Sequence, residues 1–180
     1  LYRLGDRAFY GIDYCKEIRY ECSNPPEVST DPDTDNQIFS DAGSYSDSGF
    51  DLILGTTSSD GPSDVPAYLF NPDPNGTTAD PWAVRRIIVN SSIKSISSYA
   101  FNTSNYWPKF EYIQISNDVT IDQYAFTTTE SETETPGNPE YSEGILYYSG
   151  DAPHSSWASA NWINSRLIWR QGDPSDYSDY

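Results

Sequence analysis

The chain has no methionine, one histidine and two cysteines among its 180 residues. Each scarcity excludes something. A lone His154 in a loop beside Pro153, with Cys15 and Cys22 far from it in sequence, cannot supply a four-ligand structural zinc site. Cys15 and Cys22 are seven positions apart, or ~23 Å if the backbone between them is extended. A disulfide needs Cα atoms within ~7 Å, so a bond would require a sharp return at Glu21. Two free thiols are the simpler expectation, with Cys15 buried as a small hydrophobe.

Positive charge is also scarce: 10 Lys and Arg stand against 27 Asp and Glu, for a net charge of −17. Phosphate backbones are bound by clusters of Lys and Arg, so DNA and RNA are poor partners. An anionic membrane surface is equally disfavoured. The acidity reads most simply as solubility and self-repulsion, with a cationic partner or bridging divalent cations as the sharper alternative. No apolar run approaches the ~20 residues that cross a bilayer. No signal peptide is present in these residues. The missing methionine and an opening in mid-pattern at Leu1 read as a processed or excised piece.

Catalytic signatures are absent as well. There is no G-x-S-x-G elbow, no phosphate-binding loop and no H-E-x-x-H pair. Carboxylates lie near one another simply because acids are abundant. A non-enzymatic protein is therefore expected, since a reaction has to be argued from specific groups.

What is present is an internal repeat, clearest over residues 84–126. An aliphatic residue is followed five positions later by Phe, with a small or aliphatic residue before it. The copies are Leu4 with Ala8-Phe9, Val65 with Leu69-Phe70, Ile96 with Ala100-Phe101 and Ile121 with Ala125-Phe126. Upstream of each comes a pair of apolar residues two apart, the alternation of a strand. These pairs are Ile18/Tyr20, Leu52/Leu54, Ile87/Val89 and Ile113/Ile115, with weaker copies at Ile145/Tyr147 and Leu167/Trp169. Alternation alone would also suit an antiparallel sheet, but the constant five-residue spacing favours stacked copies. One copy cannot bury itself, whereas a stack shares a core and pairs its strands, which is a solenoid. Phe70, Phe101 and Phe126 are then expected in one buried column.

These residues resemble the BspA-like branch of the leucine-rich repeats. The likeness rests on Leu4-Gly5-Asp6-Arg7-Ala8-Phe9, on Phe50-Asp51-Leu52-Ile53-Leu54 leading to Val65-Pro66-Ala67-Tyr68-Leu69-Phe70, and on a C-terminal piece with Trp157, Trp162 and Trp169. Ser97 and Asp122 depart from it where the first copy has Gly5. Cys15 and Gly49 depart from it where a Leu usually precedes the strand. The resemblance implies a leucine-rich-repeat solenoid of the α/β horseshoe class. Short parallel strands would line its concave face, with a turn-rich convex side and long inserted loops. It also implies extracellular or cell-surface recognition or adhesion, with a protein or glycan as ligand. The alternative is a structural subunit of a surface polymer, whose partner is copies of itself.

On this reading residues 1–170 form one array, with insertions at about 23–48, 55–64, 71–83 and 127–143. The tryptophans Trp157, Trp162 and Trp169 form a C-terminal cap that closes the core. Residues 171–180 form an acidic tail, a linker or disordered end from residue 173 onward. The residue between each inward pair points to the opposite face. That row is Arg19, Ile53, Ile88, Gln114, Leu146 and Ile168, flanked by Glu17, Asp51, Arg86 and Tyr112. Ligand contact is expected at Arg19, Ile53, Arg86, Ile88, Tyr112 and Gln114. So apolar a row should be covered by a ligand, another chain or an insertion. No cofactor is required. Asp31, Asp33 and Asp35 match the first calcium ligands of a helix–loop–helix hand, but the Gly that should follow is missing. Asn75, Asn90 and Asn102 open N-x-[ST] triplets and are possible glycosylation sites.

Overall fold

The structure is a computed structural model that describes residues 9, 12, 14–24, 50–67, 69, 84–98, 100–101, 111–126, 144–160 and 167–177. Among these, nine strands are present: β1 Glu17–Tyr20, β2 Phe50–Leu54, β3 Asp64–Val65, β4 Val84–Val89, β5 Ser95–Ile96, β6 Tyr112–Ser116, β7 Thr120–Ile121, β8 Gly144–Ser149 and β9 Leu167–Gln171. Helix among the described residues is limited to two 3-10 segments, Ser155–Ser159 and Pro174–Asp176.

All strand pairs are parallel. One sheet has six strands in the order β1-β2-β4-β6-β8-β9, and the other has three in the order β3-β5-β7. Parallel neighbours cannot be joined by a tight hairpin, so the chain must travel between them. From β2 to β8 it does so by placing every other strand in the smaller sheet. Among the described residues no antiparallel pair is present.

The apolar alternation read from the sequence explains the core. Ile18, Leu52, Ile87 and Ile113 stand in register across four adjacent strands. Leu52, Ile87 and Ile113 are buried there with Val65, Ile96 and Ile121 of the smaller sheet, so both sheets face one interior. Tyr20 ties the two sheets directly, its hydroxyl donating to the Asp64 carbonyl at 3.2 Å. The five-residue signature also turns inward. Leu69, Ala100, Phe101, Ala125 and Phe126 are all buried. Phe101 and Phe126 lie with ring centroids 4.7 Å apart and planes 11° from parallel. Phe70 lies outside the described residues, and Phe9 is 37% exposed.

Beyond β6 the register differs from the sequence expectation by one residue. Ile113 pairs with Leu146, and Leu146 with Trp169. The inward pair of β8 is therefore Leu146 and Tyr148, not Ile145 and Tyr147. The run Ile145-Leu146-Tyr147-Tyr148 is apolar at every position, so alternation cannot fix its phase. In β9 Leu167 and Trp169 do face inward, which turns Ile168 outward, but one step along from the place expected for it.

The Leu position that Gly49 leaves vacant is filled through a register shift. Phe50, fully buried, pairs with Val84, while Asp51 pairs with Arg86. Arg85 is the extra residue of this bulge. Two further departures concern small groups. Cys15 is only half-buried, because its thiol donates to the Glu17 carbonyl at 3.3 Å instead of entering the core. Cys22 is exposed, and both thiols are free.

At the β8–β9 end, the 3-10 helix Ser155–Ser159 is capped by His154, whose imidazole accepts from the Ser156 N–H at 3.1 Å. Ser156 Oγ accepts from the Ile121 N–H of β7 at 3.0 Å. Next to it Trp157, fully buried, donates its indole N–H to the Val119 carbonyl at 2.9 Å. Tyr148 and Trp169 meet its ring edge-on, each at 6.1 Å. Trp162 lies outside the described residues.

Candidate functional site

The face of the six-stranded sheet turned away from the core carries two rows of side chains. Register places Arg19, Ile53, Ile88, Gln114, Tyr147 and Arg170 in one row. Glu17, Asp51, Arg86, Tyr112, Ile145 and Ile168 form the other. Arg19, Ile53, Ile88 and Gln114, expected as one ladder, do share a row. Arg86 and Tyr112 stand next to each other in its neighbour. Leu146 is not part of the ladder, because the register places it in the core and puts Tyr147 in its stead. Ile168 stands beside Ile145 in the second row.

Charge along the second row is arranged around Asp51. The bulge lets both Arg85 and Arg86 reach this carboxylate. Arg85 donates from Nε at 3.1 Å and from Nη2 at 3.0 and 3.1 Å. Arg86 donates from Nε at 2.9 Å and also from Nη2. Partial burial pushes the Asp51 carboxyl up, but the hydrogen bonds from Arg86 and Arg85 together outweigh it and hold it below the usual carboxylate range. The same bond to Asp51 raises the Arg86 guanidinium further above its ordinary value. Arg86 also lies 5.7 Å from the Tyr112 ring centroid, a cation–π distance. The result is a fixed cation followed by a half-buried aromatic, then Ile145, then Ile168 at 48% exposure. At the far edge, Arg19 pairs with Glu17 and Glu21 through side chains about half exposed, and such pairs add little.

The first row is partly covered by the segment that follows β9. Gly172 adopts φ +106 and turns the backbone out of β9. Asp173 then caps the 3-10 helix Pro174–Asp176 in a reciprocal capping box. This segment packs back on the sheet. Tyr177 lies 5.3 Å from Tyr147, and Arg170 sits 5.0 Å over the Tyr177 ring. Gln114 donates to Asp173 Oδ2 at 2.8 Å. Residues 173–177 are thus folded where a linker or disordered end was expected. The capping box and the tyrosine contacts outweigh the polar composition. Tyr147 is fully buried beneath this hook, and its hydroxyl has no hydrogen-bond partner.

A groove of about 520 Å³ opens where the hook meets the sheet. Ile88, Asn90, Gln114, Ser116, Ser149 and Asp173 are among the residues that line it, and among the described residues no Lys or Arg does. Its rim is built by the turn after β4. There the Asn90 amide donates to the Gly55 carbonyl at 3.0 Å. Ser92, buried, accepts from the Thr56 N–H at 2.9 Å and donates to the Pro62 carbonyl at 2.8 Å. The triplet that made Asn90 a glycosylation candidate therefore has its amide engaged and its Ser92 hydroxyl enclosed. Asn75 and Asn102 lie outside the described residues, as do Asp31, Asp33 and Asp35.

Sequence reasoning placed Asp51 beside this row but missed Tyr147, Asp173 and Tyr177 as parts of the face. Asp51 stood out as a lone acid in an apolar strand, whereas the other three left no such signal. Among the described residues no helix is long and apolar enough to cross a membrane. Nor do three or more His, Cys, Asp or Glu side chains there converge as metal ligands. Comparison with protein-family models, with curated proteins and with solved structures finds no match to the chain.

Proposed function

We propose that the chain is a leucine-rich-repeat solenoid of the BspA-like kind. On this reading it is an extracellular, non-enzymatic recognition or adhesion module for a protein or glycan. The solenoid reading is supported by six parallel strands neighbouring one another in chain order, with the recurrent aliphatic and Phe residues buried behind them. Stacked repeats produce that combination because each copy buries itself only against the next. The concave face is then the outer face of the long sheet.

The observation that carries the functional reading is the sequence of groups along that face. A guanidinium fixed by Asp51, the Tyr112 ring, and the partly or largely exposed Ile145 and Ile168 form a continuous polar-to-apolar strip. Interfaces concentrate aromatic and Arg anchors in this way. Arg86 itself is a poor site for a test, because its replacement would remove one of the two guanidiniums that Asp51 binds and so disturb the sheet as well as the face. Tyr112→Ala and Ile168→Asp are cleaner changes.

The test is adhesion of protein-coated beads to intact cells and to a panel of extracellular-matrix proteins, with melting temperatures measured in parallel. Adhesion lost in both variants at unchanged melting temperature is the expected result. Wild-type beads that adhere to nothing, or variants that adhere as well as wild type, would refute the reading. Reversible, concentration-dependent assembly in sedimentation, with no adhesion, would favour the polymer-subunit alternative.

A further inference from the structure

From the groove beside the C-terminal hook we infer that the chain binds a neutral saccharide, held by amide and hydroxyl oxygens over Ile88. This rests on the recognition-module reading and names a ligand class and a place for it. A volume of about 520 Å³ falls within the range of small-molecule sites, ~300–1,000 Å³. Its chemistry is the selective part.

Three side-chain amides reach the groove, and each has an N–H already committed. Asn90 donates to Gly55, Gln171 donates to Gly150 at 2.8 Å, and Gln114 donates to Asp173. Their amide oxygens are left as acceptors. The Ser149 hydroxyl can both donate and accept, while the Ser91 and Ser116 hydroxyls, which donate to the Thr57 carbonyl and to Asp118, are left as acceptors. A ligand that matches this set needs several closely spaced O–H donors that also accept. Vicinal sugar hydroxyls have that property.

Two alternatives fit less well. An anionic ligand would meet no Lys or Arg among the described residues of the groove, and it would approach the Asp173 carboxylate in a chain of net charge −17. Among the described residues of the groove a Lys side chain would find one carboxylate, and that one is occupied. Asp173 Oδ1 accepts from both the N–H and the hydroxyl of Ser175, and Oδ2 accepts from Gln114. Gln114 and Asp173 are hydrogen-bonded to each other before any ligand arrives, which lowers the ordering cost of binding. Ile88 beneath it offers an apolar floor for the C–H face of a sugar ring.

The test is saturation-transfer NMR and calorimetry on the whole chain. The probes are soluble gluco-, galacto-, manno- and N-acetylglucosamine oligosaccharides, with sialyllactose and a Lys-rich peptide for comparison. Ser149→Trp fills the groove from an exposed strand position that tolerates an aromatic. Ser91→Trp fills it from the opposite rim, should the first variant fold poorly. The expected result is binding of at least one neutral oligosaccharide, weakened at least ~tenfold by either substitution, with little dependence on salt.

The inference is overturned if no neutral oligosaccharide binds up to ~10 mM. It is also overturned if the Trp variants bind as wild type, or if only sialyllactose or the peptide binds. Sugar binding without bead adhesion would uphold this inference and sink the adhesion reading. Adhesion that depends on Tyr112 but not on the groove, with no sugar bound, would sink this inference alone.

Discussion

Trp157 offers the most informative single perturbation of the fold. Its side chain is fully buried and makes two separable contributions. The ring fills the end of the core against Tyr148 and Trp169, and the indole N–H serves the Val119 carbonyl at 2.9 Å. An aromatic of this size buries ~150–250 Å², which at ~25 cal/mol per Å² corresponds to ~4–6 kcal/mol as an upper bound. Truncation to Ala retains Cβ and lets the site partly collapse, so Trp157→Ala should cost ~3–5 kcal/mol. Trp157→Phe keeps most of the ring and removes only the donor. Leaving a buried carbonyl without its partner costs ~1–3 kcal/mol. Urea unfolding followed by far-UV circular dichroism measures both, because removing a tryptophan confuses fluorescence. Losses below ~0.5 kcal/mol for both variants, the range of surface substitutions, would refute the packing described for this end.

The stacked pair should behave as core as well. Phe101→Ala and Phe126→Ala are each expected to cost ~3–5 kcal/mol, and a double-mutant cycle should return ~0.5–1.5 kcal/mol of coupling from the stacked rings. Gly55 sits at φ +75, where an added Cβ would lie 2.5 Å from Ser92 Oγ. Gly55→Ala should therefore cost more than the ~1–2 kcal/mol of the left-handed backbone alone, again by urea unfolding. Asp51 gives a pH signature. Its carboxyl titrates lower in the folded chain than its ordinary value of 3.8, so its stabilisation is complete above that value and is lost as pH falls below it. Asp51→Asn should be ~1–3 kcal/mol less stable than wild type at neutral pH, with the gap closing in thermal melts below that value. A gap that stays constant into acid would mean the carboxylate is unpaired.

Much of the long sheet was legible because alternation was clean where it mattered. Ile18/Tyr20 and Ile113/Ile115 enclose polar Arg19 and Gln114, Asp51 and Arg86 just before Leu52/Leu54 and Ile87/Val89 fix the phase of those pairs, and all four pairs face the core. The phase was lost at Ile145-Leu146-Tyr147-Tyr148, where every residue is apolar and neighbouring strands set the register instead. The smaller sheet was hidden by its length. Asp64–Val65, Ser95–Ile96 and Thr120–Ile121 are too short to show a period, although their aliphatic members had been singled out by spacing. The outer face was the least legible. Its charge cluster depends on a bulge that brings Arg85 and Arg86 to one carboxylate. Its covered half depends on a turn at Gly172 that folds residues acidic enough to resemble a linker. Both are tertiary outcomes that no local pattern encodes.

The order of the strands can be measured directly. In a Cys15→Ser, Cys22→Ser background, spin labels at Glu17 and Ile168 occupy one register row, five strand spacings apart. Side-by-side stacking in chain order predicts an electron–electron distance near ~24 Å, within the few ångströms added by the label arms. A distance below ~15 Å or above ~35 Å would contradict that order.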